Sequence, residues 1–147
     1  MNKNNTKTFL PDVVKPSANK YNKTLMKETE EITKNNSNLN LVFAFNYGSH
    51  NEIHSAIMDL HNNNLEKMLS LEEIADSFYS YFQYPDIPYP DLLLRTAGEE
   101  RVSNFLLYQL AYTELIFIDT LWPDVNRDIL DNVLLEFKSR NRTYGKN

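Results

Sequence analysis

DLLLRTAGEERVSNFLLYQLAYTELIFIDT, residues 91–120, is the stretch on which the fold turns. It opens on an apolar run over residues 91–96 and closes on a second, ELIFIDT, over residues 114–120. A strand that is apolar at nearly every position is one buried on both faces, the habit of parallel sheets. Between the two runs the spacing predicts a loop over residues 97–102. A helix then follows, N-capped by Ser103 and carrying Phe105, Leu106, Leu110 and Ala111 inward. Strand, helix, strand in that order joins parallel neighbours.

The pattern extends outward in both directions. Pro85, Pro88 and Pro90 make residues 83–90 an extended connection. Ser70 and Glu73 have the spacing of a capping box, opening a helix that runs to about Tyr81. A helical period covers residues 51–63 through Ile53, Ala56, Ile57 and Leu60, and LNLVFAFNY, residues 39–47, reads as another buried strand. Further helices are expected over residues 20–36, with Leu25, Met26, Thr29 and Ile32 on one side, and over 126–139, with Ile129, Val133, Leu134 and Phe137 inward. Residues 1–9 are unpatterned and are expected to be disordered, leaving residues 10–147 as the folded part. The fold class is therefore α/β, a mostly parallel β-sheet flanked by helices. Strands buried on both faces need more covering than this chain obviously supplies.

At 147 residues the chain is expected to form one domain. It has no cysteine, which rules out disulfides, thiol nucleophiles and cysteine-ligated metals. Its three glycines, Gly48, Gly98 and Gly145, stand far apart, so neither a dinucleotide-binding glycine fingerprint nor a Walker phosphate loop is present. Net charge is −5, which argues against nucleic acid as a partner. No apolar run approaches the ~18 residues of a membrane span. The opening MNKNNTKTFLPD lacks the apolar core of a secretory signal, so a cytoplasmic location, or one peripheral to a membrane, is expected.

Chemistry concentrates in residues 95–103. Arg95 ends a strand, Arg101 and Ser103 follow across the loop, and Gly98 lets a ligand approach the backbone. Ligands of open α/β sheets bind at the carboxyl ends of strands. Arginine suits forked hydrogen bonding to phosphate, and a helix N-terminus favours anions. The segment reads as a pyrophosphate cradle, or, more plainly, as a loop whose arginines pair with Glu99, Glu100 or an aspartate. Glu114, at the start of a strand, could hold Mg²⁺ or end in a salt bridge. His50, His54 and His61 lack zinc-protease spacing and read as surface residues. Tyr79, Tyr81, Phe82, Tyr84 and Tyr89 read as packing rather than base stacking.

Residues Arg95–Asp124, RTAGEERVSNFLLYQLAYTELIFIDTLWPD, closely resemble the C-terminal signature of cis-prenyltransferases of the undecaprenyl pyrophosphate synthase kind. The preceding Pro90–Leu94 fits it too. Asn46-Tyr47-Gly48 resembles the family's N-Y-G-G-R segment, and Arg140–Gly145 resembles its closing basic-aromatic-glycine run. The likeness spans residues 10–146. It implies an enzyme that condenses isopentenyl pyrophosphate with an allylic pyrophosphate, assisted by Mg²⁺. By the same resemblance Arg95, Arg101, Val102 and Ser103 bind the isopentenyl pyrophosphate, Glu114 takes part in metal binding, and the expected partner is a second copy, as in the family's homodimers, or a complementary N-terminal half. Ser49 and His50 depart from the family's second glycine and arginine. No Asp-Gly-Asn-Gly-Arg loop occurs, so the family's essential aspartate is absent and no catalytic residue is carried over. The expectation is a C-terminal half that works with a complementary N-terminal half. The alternatives are a non-catalytic partner subunit or a non-functional remnant. An open sheet edge and bare apolar faces predict a chain that is poorly soluble or oligomeric alone.

Overall fold

The computed structural model describes residues 6–9 and 20–141. Its elements are β1 (Thr6–Phe9), α1 (Lys20–Thr33), β2 (Leu39–Val42), α2 (Ser49–Asn62), α3 (Leu71–Ser77), β3 (Leu92–Arg95), β4 (Glu114–Phe117) and α4 (Arg127–Ser139). Two compact units result, residues 1–52 and residues 53–147, where one domain was expected. The α/β class holds, with every paired strand parallel, but the strands form two two-stranded sheets, β1–β2 and β3–β4.

In the first unit Thr6 pairs with Leu39 and Phe9 with Val42. Residues 6–9, expected to be disordered, are thus a strand, because their amides and carbonyls find partners in β2. Two side chains fix this segment against α1 and its exit: the Thr8 N–H donates to Thr33 Oγ1 at 3.1 Å, and Asn36 Nδ2 donates to the Thr6 carbonyl at 2.7 Å. The expected strand over residues 39–47 ends at Val42, and Asn46 takes a left-handed φ of 51° in the turn before α2. The expectation of burial on both faces fails here: Leu39, Leu41, Phe43 and Phe45 are all exposed. On α1, Leu25 and Ile32 are exposed as well, and Met26, Thr29 and Thr33 are the better-covered positions.

In the second unit α3 begins on the predicted capping box. The Glu73 N–H donates to Ser70 Oγ at 3.2 Å, and the Ser70 N–H donates to Glu73 Oε2 at 2.8 Å. The helix tightens into a 3-10 turn over Phe78–Tyr81, ending where the sequence placed it. Phe82, 4% exposed, then anchors an aromatic cluster. Its ring meets Phe78 at 5.2 Å and Tyr108 at 5.0 Å, and Tyr79 meets Tyr89 edge-on at 4.8 Å. Edge-to-face rings at this spacing attract beyond their buried area. Of the aromatic residues expected to pack, Tyr79, Phe82 and Tyr89 do so here, joined by Phe78 and by Tyr108 of the segment linking β3 to β4.

That segment is the main departure. Residues 103–112 form consecutive turns, not the expected helix, with Ser103, Asn104 and Leu106 at φ of 46°, 62° and 47°. Left-handed backbone at three non-glycine residues is incompatible with a right-handed helix. β3 and β4 pair from Leu92↔Glu114 to Arg95↔Phe117, with Ile116 buried. On α4 the Asn126 side chain caps the helix by accepting from the Ile129 N–H at 3.1 Å. Its covered stripe is Ile129, Val133 and Phe137, whereas Leu134 is exposed. The helix packs on β4. Among the described residues no helix is long and apolar enough to cross a membrane.

Candidate functional site

The end of β3 delivers Arg95 to the carboxyl edge of its sheet. Pairing continues past the strands: the Ile118 N–H donates to the Arg95 carbonyl at 2.9 Å, Gly98 N–H to Ile118 at 3.0 Å, and Ala97 N–H to Thr120 at 2.9 Å. These bonds fold residues 97–102 into a loop over the strand end. Ala97 and Gly98 both sit at left-handed φ, 67° and 65°. A Cβ on Gly98 would lie 3.2 Å from Asp119 Oδ1, a tight contact at a position whose left-handed φ already favours glycine.

Arg95 turns back into this loop. Its Nη1 donates to Ser103 Oγ at 3.0 Å and also to the Arg101 carbonyl. Arg101 projects outward and ion-pairs with Glu99. Two of the predicted residues, Arg95 and Ser103, are therefore in direct contact. Arg101 joins them through its backbone, and Val102 lies between. The plainer expectation holds for Arg101, which pairs with an acid, Glu99. The helix N-terminus expected to face an anion is absent, because residues 103–112 do not form a helix. The amides of Ala97 and Gly98 are committed to residues 118–120. An anion at this loop would therefore meet the guanidinium groups and the Ser103 hydroxyl rather than those amides.

Glu114 lies at the other end of the sheet. It is in register with Leu92, three residues before the Phe117 that faces Arg95, or about 10 Å along the strands at ~3.3 Å per residue. There Arg140 Nη1 donates to Glu114 Oε2 at 2.9 Å and to the Leu115 carbonyl at 3.0 Å, and Nη2 donates to Glu136 at 2.5 Å. These carboxylates hold the Arg140 guanidinium above its ordinary range, Glu114 contributing most. Among the described residues no group of three His, Asp or Glu side chains is placed to hold a metal. Glu114 with its Arg140 partner does not by itself make a magnesium site. In the sequence Arg140 stands out only as the start of the closing basic run. The signal for it was the stripe Ile129–Val133–Phe137, which continues one turn on to Arg140.

His50, His54 and His61 are exposed on α2, as expected. In the N-Y-G-G-R-like segment Tyr47 donates its hydroxyl to Glu52 Oε2 at 2.5 Å, and Ser49 is fully buried. The closing run beyond residue 141 lies outside the described residues.

Comparison with known proteins gives one consistent answer. The family model described as "Putative undecaprenyl diphosphate synthase" matches residues 14–145. Isoprenyl transferase 2 of Bradyrhizobium diazoefficiens is 44% identical over 122 residues, covering 82% of this chain and 48% of the relative. The ditrans,polycis-undecaprenyl-diphosphate synthase of Micrococcus luteus, specific for (2E,6E)-farnesyl diphosphate, is 37% identical, covering 94% of this chain and 60% of the relative. The crystal structure of lavandulyl diphosphate synthase from Lavandula x intermedia with dimethylallyl diphosphate superposes with a TM-score of 0.87 at 27% identity. That match covers 96% of this chain and 61% of the other. The chain thus spans about half to three fifths of the length of these curated relatives.

Proposed function

Because this chain belongs to the cis-prenyltransferase family of undecaprenyl diphosphate synthases, we propose that residues 95–103 bind the pyrophosphate of isopentenyl pyrophosphate in cis-type chain elongation. The observation that carries this reading is the Arg95–Ser103 contact at the carboxyl end of β3. Arg95 is held at a strand end where ligands of such sheets collect. Its present acceptors, a hydroxyl and a carbonyl, are neutral, and phosphate oxygens replace neutral acceptors favourably because charge-assisted bonds are stronger. Arg101 supplies a second cation and Ser103 a hydroxyl donor. The role of these residues is to orient the isopentenyl unit by its charged end, leaving its double bond free to attack the allylic carbon as that carbon loses its own pyrophosphate.

Mg²⁺ is the family's expected partner in that departure, and Glu114, the residue the resemblance assigns to it, is engaged by Arg140. The allylic substrate and the aspartate that serves it are assigned to a complementary N-terminal half. Apolar residues exposed on the second unit, among them Trp122, Leu130, Leu134 and Leu135, favour association with another chain, either that half or a second copy.

The test is calorimetric titration with isopentenyl pyrophosphate. Arg95→Ala is expected to weaken binding by about 10–100-fold, the equivalent of losing one hydrogen bond to a charged group. Equal affinity in the variant removes the site. Co-expression with a chain bearing the Asp-Gly-Asn-Gly-Arg loop should restore incorporation of labelled isopentenyl units; a complex without incorporation favours a partner-subunit role.

A further inference from the structure

Glu99 stands between the two arginines in sequence and already occupies one of them. Its carboxylate is ion-paired with Arg101, while Arg95 is satisfied by the Arg101 carbonyl and Ser103. The cradle is therefore closed on itself, each guanidinium having an acceptor from within residues 99–103. The two arginines are held differently. Arg95 rests on neutral oxygens, whereas Arg101 faces a full negative charge. Glu99 Oε2 faces Arg101 and is itself shielded from solvent, although the two side chains of the ion pair are exposed. Asp119, whose Oδ1 lies 3.2 Å from where a Gly98 Cβ would be, puts a second carboxylate beside the same loop.

We propose that Glu99 is the resident anion of this site, an affinity-setting residue whose carboxylate must leave Arg101 before a pyrophosphate can take its place. The inference rests on the pyrophosphate reading of residues 95–103 given above. An entering pyrophosphate exchanges one ion pair at Arg101 for another and repels the displaced carboxylate, so Arg101 contributes less than its charge suggests. The net gain comes chiefly from Arg95 and Ser103. Glu99 thereby keeps the affinity for every diphosphate moderate, for substrate and for released inorganic pyrophosphate alike.

The experiment is titration of the full chain with inorganic pyrophosphate, comparing wild type, Glu99→Gln, Arg101→Ala, the double variant and Arg95→Ala. Glu99→Asp serves as a shorter carboxylate, and thermal melts check folding. The expected result is binding about two- to fivefold tighter in Glu99→Gln, the range set by an exposed ion pair. The gain should vanish when Arg101 is alanine. Unchanged or weaker binding in Glu99→Gln overturns the proposal while leaving the site intact. So does an equal gain in the Arg101→Ala background, which would mean a general charge effect. If Arg95→Ala binds as well as wild type, the pyrophosphate reading itself fails and takes this inference with it.

Discussion

Arg140, the C-cap that follows α4, grips the first residue of β4: its Nη1 lies 2.9 Å from Glu114 Oε2. The same guanidinium spans the Leu115 carbonyl and Glu136, so one side chain ties helix end, strand start and helix face together. A cation there also faces the negative end of the helix dipole.

Arg140→Ala should therefore loosen α4 from the sheet. It strands the partly covered Glu114 carboxylate without its cation, and unpaired carboxylates are costly in proportion to their burial. Urea denaturation should show a clear fall in midpoint. Glu136→Ala, which removes only the more exposed partner, should change it much less. Arg140→Lys should fall between them, since an ammonium cannot span three acceptors in a fork. Equal effects of Arg140→Ala and Glu136→Ala would contradict the clamp.

Gly98→Ala should destabilise the second unit by about 1–2 kcal/mol, the usual penalty for an L-residue in left-handed backbone. The new methyl also meets Asp119 Oδ1 at 3.2 Å. Asp119→Ala added to Gly98→Ala should relieve only that contact, leaving most of the loss. Full rescue by the second change would show that space, not conformation, selects glycine.

Acid should weaken the start of α3. Lys67, followed by the Ser70 N–H, holds the Glu73 carboxyl below its ordinary range. The folded chain thus favours the carboxylate. The stabilisation is complete above the unfolded value and is lost as pH falls through the folded one. Thermal melts between pH 7 and about pH 3 should lose less on acidification in Glu73→Gln than in wild type. Parallel curves would disprove the linkage.

Alkali acts on the aromatic cluster. Although Tyr89 is 42% exposed overall, partial desolvation among the rings, then the neighbouring Tyr108 and Tyr79, push its phenol above its ordinary range. The fold favours the neutral phenol, so stability is full below the unfolded value and falls as pH rises through the folded one. Phenolate absorbance should reveal a late-titrating tyrosine that Tyr89→Phe abolishes.

The residues near the candidate site were legible where the physics is local. The Ser70–Glu73 box depends on four consecutive residues and formed as read. The parallel β3–β4 pair followed from two apolar runs at the right separation, and Arg95 at the end of the first needed only the length of that run. What failed depended on contacts distant in sequence. Residues 103–112 have helical periodicity, yet Tyr108 is held by Phe78 and Phe82, and the backbone is drawn into left-handed turns. Residues 39–47 read as doubly buried because apolarity reports what a strand needs, not what covers it.

Motif spacing and strand hydrophobicity are written in consecutive residues, so the family, the α/β class and the candidacy of Arg95, Arg101, Ser103 and Glu114 could be read from the chain. Which of these side chains meet depends on packing in three dimensions. Register is a property of two strands together, and it puts Arg95 and Glu114 at opposite ends of β3–β4. Side-chain reach then gives Arg95 to Ser103, Arg101 to Glu99 and Glu114 to Arg140, pairings that charge alone leaves open because each cation has several acids within range of the chain's folding.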